Sequence, residues 1–237
     1  MDRAINDYPD EIRVGHGAEY GALSRVRIII HFFAPPTMIR FLFKLILCVL
    51  LALGAGFAYL GLRSGDPVYT FYEWISPARF RHYDGLIRSV AAEHRLDPML
   101  IKAVAWRESR FDPKKYGSAG ERGFMQVSEK AANEWAHENK IDNFQAEELF
   151  DPKTNLEAGA WYLQRALQHW EQEPDPLPFA LAEYNAGASR AQRWAGGEQA
   201  PAMAAKTFLN NIDFPGTRKY VDSIIARYHF YKKRGRM

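Results

Sequence analysis

One glutamate, Glu108, occupies a position where its carboxyl group could act as an acid in a partly desolvated site. The segment that begins at Pro98 has an apolar stripe at helical spacing: Leu100, Ile101, Val104 and Ala105. Glu108 takes the next place on that stripe, which aims its carboxyl group inward. Trp106 and Phe111 are nearby in sequence, and loss of water around a carboxyl group raises its pKa above the usual value of about 4.3. A carboxyl group that stays protonated near neutral pH can serve as a general acid.

Glu108 also allows a purely structural interpretation. Its side chain could lie on the wet face of the helix and form an ion pair with Arg107 or Arg110. Periodicity alone does not decide between the two, so both interpretations stay open at this stage.

The element that would position Glu108 is a helix with clear ends. Asp97 and Pro98 supply an N-cap and a first-turn proline. Asp112 and Pro113 stop the helix on the other side, near Arg110.

Further helices are predicted on both sides of this one. Stripes at helical spacing occupy residues 83–94 and 156–167, and Thr217 is predicted to cap a last helix with Tyr220 on its inner face. The β structure that the sequence allows is a small hairpin over residues 117–127. The predicted fold class is therefore an all-α globule of about 150 residues.

An appendage precedes this domain. Residues 45–62 carry no charge over 18 positions, a length that at about 1.5 Å per residue just spans a hydrocarbon core of about 30 Å. A buried core helix is the alternative. Six basic residues precede or enter the segment: Arg3, Arg13, Arg25, Arg27, Arg40 and Lys44. The excess of basic residues on the N-terminal side of the apolar segment predicts that the N-terminus is cytoplasmic and that the rest of the chain lies outside.

The chain is thus predicted to have five segments. A signal-like sequence starts at Met38, so residues 1–37 are expected to be an N-terminal segment from an overcalled start, and residues 38–62 form the signal anchor or transmembrane helix. A loosely packed tether over 63–80, the helical domain over 81–231 and a basic tail over 232–237 follow. Cleavage of the apolar helix, and the choice between Met1 and Met38, stay open.

Composition narrows the function classes. A net charge of +3 on 237 residues is too small to indicate a nucleic-acid-binding protein. The single cysteine, Cys48, cannot form an internal disulfide, and the histidines have no metal-motif spacing. We therefore expect no metal, no cofactor and no nucleic-acid partner.

Five segments resemble, in order, motifs of the soluble lytic transglycosylase family, whose members cut peptidoglycan strands with a lysozyme-like helical domain. They are AWRESRF at 105–111, GERGFMQV at 120–127, the segment 151–163, AEYNAG at 182–187 and TRKYV at 217–221. Each motif alone is weak, whereas five in order across residues 80–230 are specific. Glu121, Phe124 and Gly216 depart from the family pattern, which usually has Ala, Leu and Glu there.

The resemblance implies roles for particular residues. Glu108 would be the single catalytic acid and base. Ser109 would help to position the substrate or the carboxylate, and Met125 and Gln126 would line the sugar groove. Tyr184 and Asn185 would complete the cleft, and Tyr220 would form a hydrogen bond near the acid. Glu121 is either a second carboxylate near the cleft or part of an exposed turn.

The implied activity is that of a membrane-bound lytic murein transglycosylase, a lyase that cleaves the MurNAc-GlcNAc β-1,4 bond without water and leaves 1,6-anhydroMurNAc ends. Its partners would be peptidoglycan strands and, through the N-terminal helix, a membrane. The expected location is the bacterial inner membrane, with the catalytic domain in the periplasm or on the wall side. Two alternatives stay open: a hydrolytic muramidase similar to goose-type lysozyme, and an inactive membrane-tethered scaffold that binds peptidoglycan.

Overall fold

The computed structural model describes residues 36–64, 66–198 and 200–235. The chain divides into two compact units, Met1–Gly56 and Phe57–Met237. The described part of the first unit is the beginning of helix α1, Pro36–Ser64. Residues Thr37–Leu62 are long and apolar enough to cross a membrane, judged by length and composition, and none of the most apolar part is buried. The interpretation of residues 1–37 as an overcalled start falls mainly on residues outside the described ranges.

The second unit is helical. After α1 the described residues form α2 (Pro67–Ile75), α3 (Pro77–Arg81), α4 (Asp84–Glu93), α5 (Pro98–Ser109), α6 (Glu129–Glu138), a 3-10 helix (Ala146–Phe150), α7 (Pro152–His169), α8 (Leu177–Ala186), α9 (Ala188–Trp194), α10 (Ala205–Asn211) and α11 (Pro215–Arg234). The predicted all-α fold is thereby confirmed. In place of a hairpin, the described loop has two isolated β-bridges, which join Arg122 to Tyr116 and to Val127.

Helix α5 lies at the centre of this unit. Asp97 caps its start by accepting a hydrogen bond from the Met99 N–H at 2.8 Å, and Arg110 ends it in the left-handed conformation at φ 58°. Residues 100–106 are all buried, and α5 packs against α4 and α11. The buried Lys102 pairs with Asp84 on α4 at 2.6 Å. Because these seven consecutive residues are buried, close packing holds the side chains of α5 in fixed positions.

The start of α11 differs from the prediction. The helix begins after Phe214, with Pro215 in its first turn, so Thr217 lies inside the helix and is not its cap. The prediction was wrong because the fixed φ of Pro215 and its missing N–H suit the first helical turn. Thr217 instead is buried and donates a hydrogen bond from Oγ1 to Asn185 Oδ1 at 2.7 Å.

The segment expected to be a loose tether, 63–80, contains the helices Pro67–Ile75 and Pro77–Arg81. The Tyr69 hydroxyl donates to the Arg110 carbonyl at 2.6 Å, and Glu73 lies 3.5 Å from the fully buried guanidinium of Arg227. At the other end of the unit, the first residues of the expected basic tail, 232–234, continue α11. Helical structure thus extends beyond both expected borders of the domain.

Candidate active site

Glu108 lies in the last turn of α5 and faces a cavity of about 530 Å³. The other walls come from the loop over residues 115–128 and from α6, α7 and α8. Three more of the predicted site residues line this cavity: Gln126, Tyr184 and Asn185. The structure therefore brings four residues from three sequence motifs to one place.

The carboxyl group of Glu108 is held by a tyrosine from the far end of the chain. The buried Tyr220 on α11 donates a hydrogen bond from its hydroxyl to Glu108 Oε1 at 2.5 Å. The guanidinium of Arg107 lies over the Tyr220 ring, 5.4 Å from its centroid, and donates from Nε to Ser223 Oγ at 3.0 Å. Tyr220 thus lies directly beside the carboxyl group of Glu108.

The ion-pair interpretation of Glu108 does not match the structure. Among the described residues Glu108 has no ion-pair partner: Arg107 is turned to Ser223, and Arg110 pairs with Asp66 at 3.0 Å. The guanidinium of Arg110 also stacks over the Trp106 ring, 4.0 Å from its centroid. Because both arginines are engaged elsewhere, the Glu108 carboxyl group is left facing the cavity.

Burial raises the pKa of Glu108 to about 7. The hydrogen bond from Tyr220 and the positive charges of Arg107 and Lys115 act in the opposite direction, and the charge of Glu121 raises the pKa further. A carboxyl group in this environment is protonated in a large fraction of molecules at neutral pH, which general acid catalysis requires.

Ser109 and Met125 lie behind the cavity wall. Ser109 is buried and donates from Oγ to the Phe124 carbonyl at 2.7 Å. The Met125 side chain is fully buried against Gly159, where an added Cβ would come within 2.6 Å of Sδ. Neither belongs to the described cavity lining, so their part in substrate binding stays a prediction.

The loop that carries Met125 and Gln126 is fixed by Asn155 of α7. The fully buried Asn155 accepts the Met125 N–H at Oδ1, 2.6 Å away, and donates from Nδ2 to the carbonyls of Arg122 at 2.7 Å and Leu149 at 2.9 Å. Sequence reasoning included Asn155 in the motif segment 151–163 and missed this role. The available signal was a polar residue directly beside the apolar stripe that begins at Leu156.

Close approach of the loop to the 3-10 helix requires a glycine at position 123. Gly123 has φ 77°, and an added Cβ would lie 2.1 Å from the Leu149 carbonyl oxygen. Gln126 then turns its amide onto the loop, donating from Nε2 to the carbonyls of Lys115 at 3.1 Å and Gly123 at 3.0 Å. The Lys115 ammonium in turn donates to the Glu108 carbonyl. The loop is thereby tied to the end of the helix that carries the acid.

The opposite wall is aromatic and polar. The Tyr184 hydroxyl donates to the Met125 carbonyl at 3.0 Å, and the exposed Asn185 accepts from Thr217. Tyr162 of α7 also lines the cavity, with its ring edge-on to Tyr184 at 5.5 Å between centroids. Sequence reasoning gave Tyr162 a place in a motif but no place in the site.

Glu121 lies in the wall of the same cavity as Glu108. The half-buried side chain accepts the Ala119 N–H at 3.1 Å, so the residue belongs both to a turn and to the cleft. The two sequence interpretations of Glu121 are therefore not exclusive. The described parts of the chain contain no cluster of three or more His, Cys, Asp or Glu that could hold a metal ion.

Comparison with known proteins agrees with this geometry. The family model described as "Transglycosylase SLT domain" matches residues 85–206. The soluble lytic murein transglycosylase of Escherichia coli strain K12 is 29% identical over 151 residues, which is 63% of this chain and 23% of that protein. The membrane-bound lytic murein transglycosylase F of Pseudomonas putida strain F1 is 28% identical over 168 residues, 70% of this chain and 31% of that protein.

Solved structures of lytic transglycosylases also match this chain. The 70-kDa soluble lytic transglycosylase of Escherichia coli matches with a TM-score of 0.58 and 28% identity, over 65% of this chain and 24% of that one. A complex of the 70-kDa soluble lytic transglycosylase with bulgecin A matches with a TM-score of 0.61 and 26% identity, over 70% of this chain and 26% of that one. The chain spans about a quarter to a third of the length of these relatives. Because the family model covers more than half of the sequence, the chain belongs to the transglycosylase SLT domain family.

Proposed function

We propose that this chain is a membrane-bound lytic murein transglycosylase. It would cleave the MurNAc-GlcNAc β-1,4 bond of peptidoglycan without water and leave 1,6-anhydroMurNAc ends. The observation that carries the proposal is the Glu108 carboxyl group, whose pKa is about 7 and which faces a cavity of about 530 Å³. The names of the relatives from Escherichia coli and Pseudomonas putida support the same reaction class.

In the proposed first step, Glu108 donates its proton to the glycosidic oxygen. The carbonyl oxygen of the substrate's own N-acetyl group attacks the anomeric carbon, and the bond to the leaving sugar breaks. In the second step the ionised Glu108 takes the proton of the C6 hydroxyl group. The C6 oxygen then displaces the N-acetyl oxygen from the anomeric carbon, which closes the anhydro ring and returns Glu108 to its protonated form.

Tyr220 would act on Glu108 in both steps. Its hydroxyl donates to Oε1, which leaves the other carboxyl oxygen to exchange the proton. The hydrogen bond strengthens when Glu108 is ionised, because a charged acceptor binds a donor more tightly than a neutral one. Tyr220 would therefore stabilise the carboxylate that exists between the two steps.

The substrate-binding roles of Gln126, Tyr184 and Asn185 are part of this proposal. All three line the cavity and offer amide or hydroxyl groups that suit the polar substituents of amino sugars. Tyr162 would contribute an aromatic ring to the wall of the same cavity. Ser109 and Met125 would act by holding the loop and the helix end in place.

One observation favours a second candidate, a hydrolytic muramidase. Glu121 lines the same cavity as Glu108, and paired carboxyl groups allow one to protonate the leaving oxygen while the other activates water. The transglycosylase mechanism needs no second carboxylate. The two candidates therefore differ in their products and in the part that Glu121 plays.

We further propose that α1 anchors the chain in the bacterial inner membrane, with the helical domain on the periplasmic or wall side. The supporting observations are the apolar length of Thr37–Leu62 and the basic residues that precede or enter it. Recovery of the chain in the membrane fraction after an alkaline wash is the expected result. Release into the soluble fraction would contradict the anchor.

The reaction is tested by digesting purified sacculi with the full chain in detergent and identifying the products by mass spectrometry. Anhydro ends, which lack one water relative to reducing ends, are the expected product. Reducing ends that disappear in Glu121→Gln would support the muramidase instead. No product from a folded chain would support the inactive scaffold.

A further inference from the structure

Helix α2 presents an exposed apolar face that nothing in the described chain covers. Five large side chains on it are 49–58% exposed: Val68, Phe71, Tyr72, Trp74 and Ile75. They make up more than half of a nine-residue helix. Single exposed apolar residues are ordinary, but a contiguous patch of this kind indicates a contact surface.

The opposite face of α2 is fixed to the helical unit. Thr70 is fully buried, and the Tyr69 hydroxyl donates to the Arg110 carbonyl at 2.6 Å. Glu73 lies 3.5 Å from the buried Arg227. Because these contacts hold α2 in one orientation, its apolar face cannot turn inward. Trp74 also lines a cavity together with Phe80 and Arg234, but its side chain remains 58% exposed.

The position of α2 in the chain indicates what covers this face. Helix α1 ends at Ser64 and α2 begins at Pro67, so two residues separate them. Even fully extended, that connection reaches roughly 10 Å. The polar layer outside the hydrocarbon core is roughly 5–8 Å thick on each side. If α1 crosses a membrane, α2 therefore begins within or next to the headgroup layer.

The composition of the face and its surroundings suits that layer. Trp and Tyr are enriched at membrane interfaces, where their amphipathic rings lie at the level of the headgroups. The basic last turn of α11 lies beside α2, since Arg234 approaches Glu73 to 3.9 Å and Lys233 belongs to the same turn. Glu73 lies on the face of α2 that is turned to the unit, so these basic side chains lie behind the aromatic face, where the headgroups would be if that face were inserted. Basic side chains in that position add attraction to anionic lipid headgroups.

We propose that α2 is an interfacial helix, with its aromatic face inserted into the surface of an anionic phospholipid bilayer and the basic end of α11 over the headgroups. This inference rests on the proposed membrane anchor and goes beyond it. An anchor alone would leave the domain free to move above the membrane, whereas an inserted α2 would hold the domain against the membrane surface. Tyr69 of α2 contacts Arg110, which lies two residues beyond Glu108. This contact places α2 next to the end of α5, the helix that carries Glu108.

The test uses the full chain in nanodiscs of phosphatidylcholine and phosphatidylglycerol, with one chain per disc so that a second copy cannot cover α2. Tryptophan emission is compared between discs with ordinary lipids and discs whose acyl chains are brominated near the headgroup. The contribution of Trp74 is the emission that Trp74→Phe removes. The matched control is Trp135→Phe, which removes a tryptophan buried on α6.

The emission assigned to Trp74 is expected to be largely lost in the brominated discs, while that of Trp135 stays unchanged. Unquenched Trp74 in a chain that co-purifies with the discs would overturn the interfacial helix and leave the anchor intact. A chain that does not co-purify with the discs would overturn the anchor and, with it, this inference. Heat unfolding of both variants in the discs checks that the fold is retained.

Discussion

The Tyr220 hydroxyl lies 2.5 Å from Glu108 Oε1, and the two residues are 112 positions apart in sequence. Burial and the charge of Glu108 raise the pKa of Tyr220 well above its usual value, so the tyrosine stays a donor wherever Glu108 titrates. The proton that moves near neutral pH therefore belongs to the glutamate.

Tyr220→Phe removes this hydrogen bond and keeps the ring. The pKa of Glu108 should rise further, because the hydrogen bond lowers it. Cleavage should fall roughly ten- to a hundredfold, since a hydrogen bond to a charged group contributes about 1.5–3 kcal/mol. The pH dependence of glycan cleavage measures both effects. An alkaline limb that moves to lower pH would contradict the assigned contact.

The buried Glu108 should also affect stability. Its pKa is about 7 in the folded chain and near 4.5 in the unfolded chain, so the folded state binds the proton more tightly. Its contribution to stability is then full below pH 4.5, declines as the pH rises and is lost above pH 7. Glu108→Gln should stabilise the chain at pH 8 and have little effect near pH 4, as measured by unfolding in detergent. Equal effects at both pH values would exclude a raised pKa.

Glu121→Gln should shift the alkaline limb of the cleavage profile to lower pH, because the charge of Glu121 raises the pKa of Glu108. The products should remain anhydro ends. Glu129→Gln is the control, since Glu129 is exposed and pairs with Arg122 at 3.3 Å outside the cavity lining. A similar shift in both variants would show that the effect comes from net charge alone.

Asn155→Leu should be strongly destabilising. It leaves the Met125 N–H and the carbonyls of Arg122 and Leu149 without their buried partner, at about 1–3 kcal/mol for each group. A loss of about 3 kcal/mol or more in the free energy of unfolding is expected. Asn133→Leu, on the exposed face of α6, should change it by less than about 0.5 kcal/mol. Equal losses would contradict the role given to Asn155.

The local part of this site could be predicted from sequence. The apolar stripe from Leu100 places Glu108 inward, and the Asp97 cap defines the start of α5, because both follow from the helical repeat. The resemblance to family motifs added the cavity-lining Gln126, Tyr184 and Asn185.

The remaining features depend on contacts between distant segments. The hydrogen bonds of Asn155 join three separate segments, and the helices of 67–81 are held by partners such as Arg227, which lies 154 positions after Glu73. No local pattern reveals such pairings. The family motifs likewise place Ser109 and Met125 near the site, but a motif does not distinguish a residue in the cavity wall from one behind it.

Turnover of Glu108→Gln on purified glycan strands tests the central claim most directly. Glutamine keeps the shape and can still accept the Tyr220 hydrogen bond, but it cannot donate or recover the proton. Cleavage by the folded variant should fall by at least roughly 10²–10⁴-fold, the range that general acid–base catalysis supplies, while glycan binding is retained. Turnover near that of the unmodified chain would show that Glu108 is not the catalytic acid.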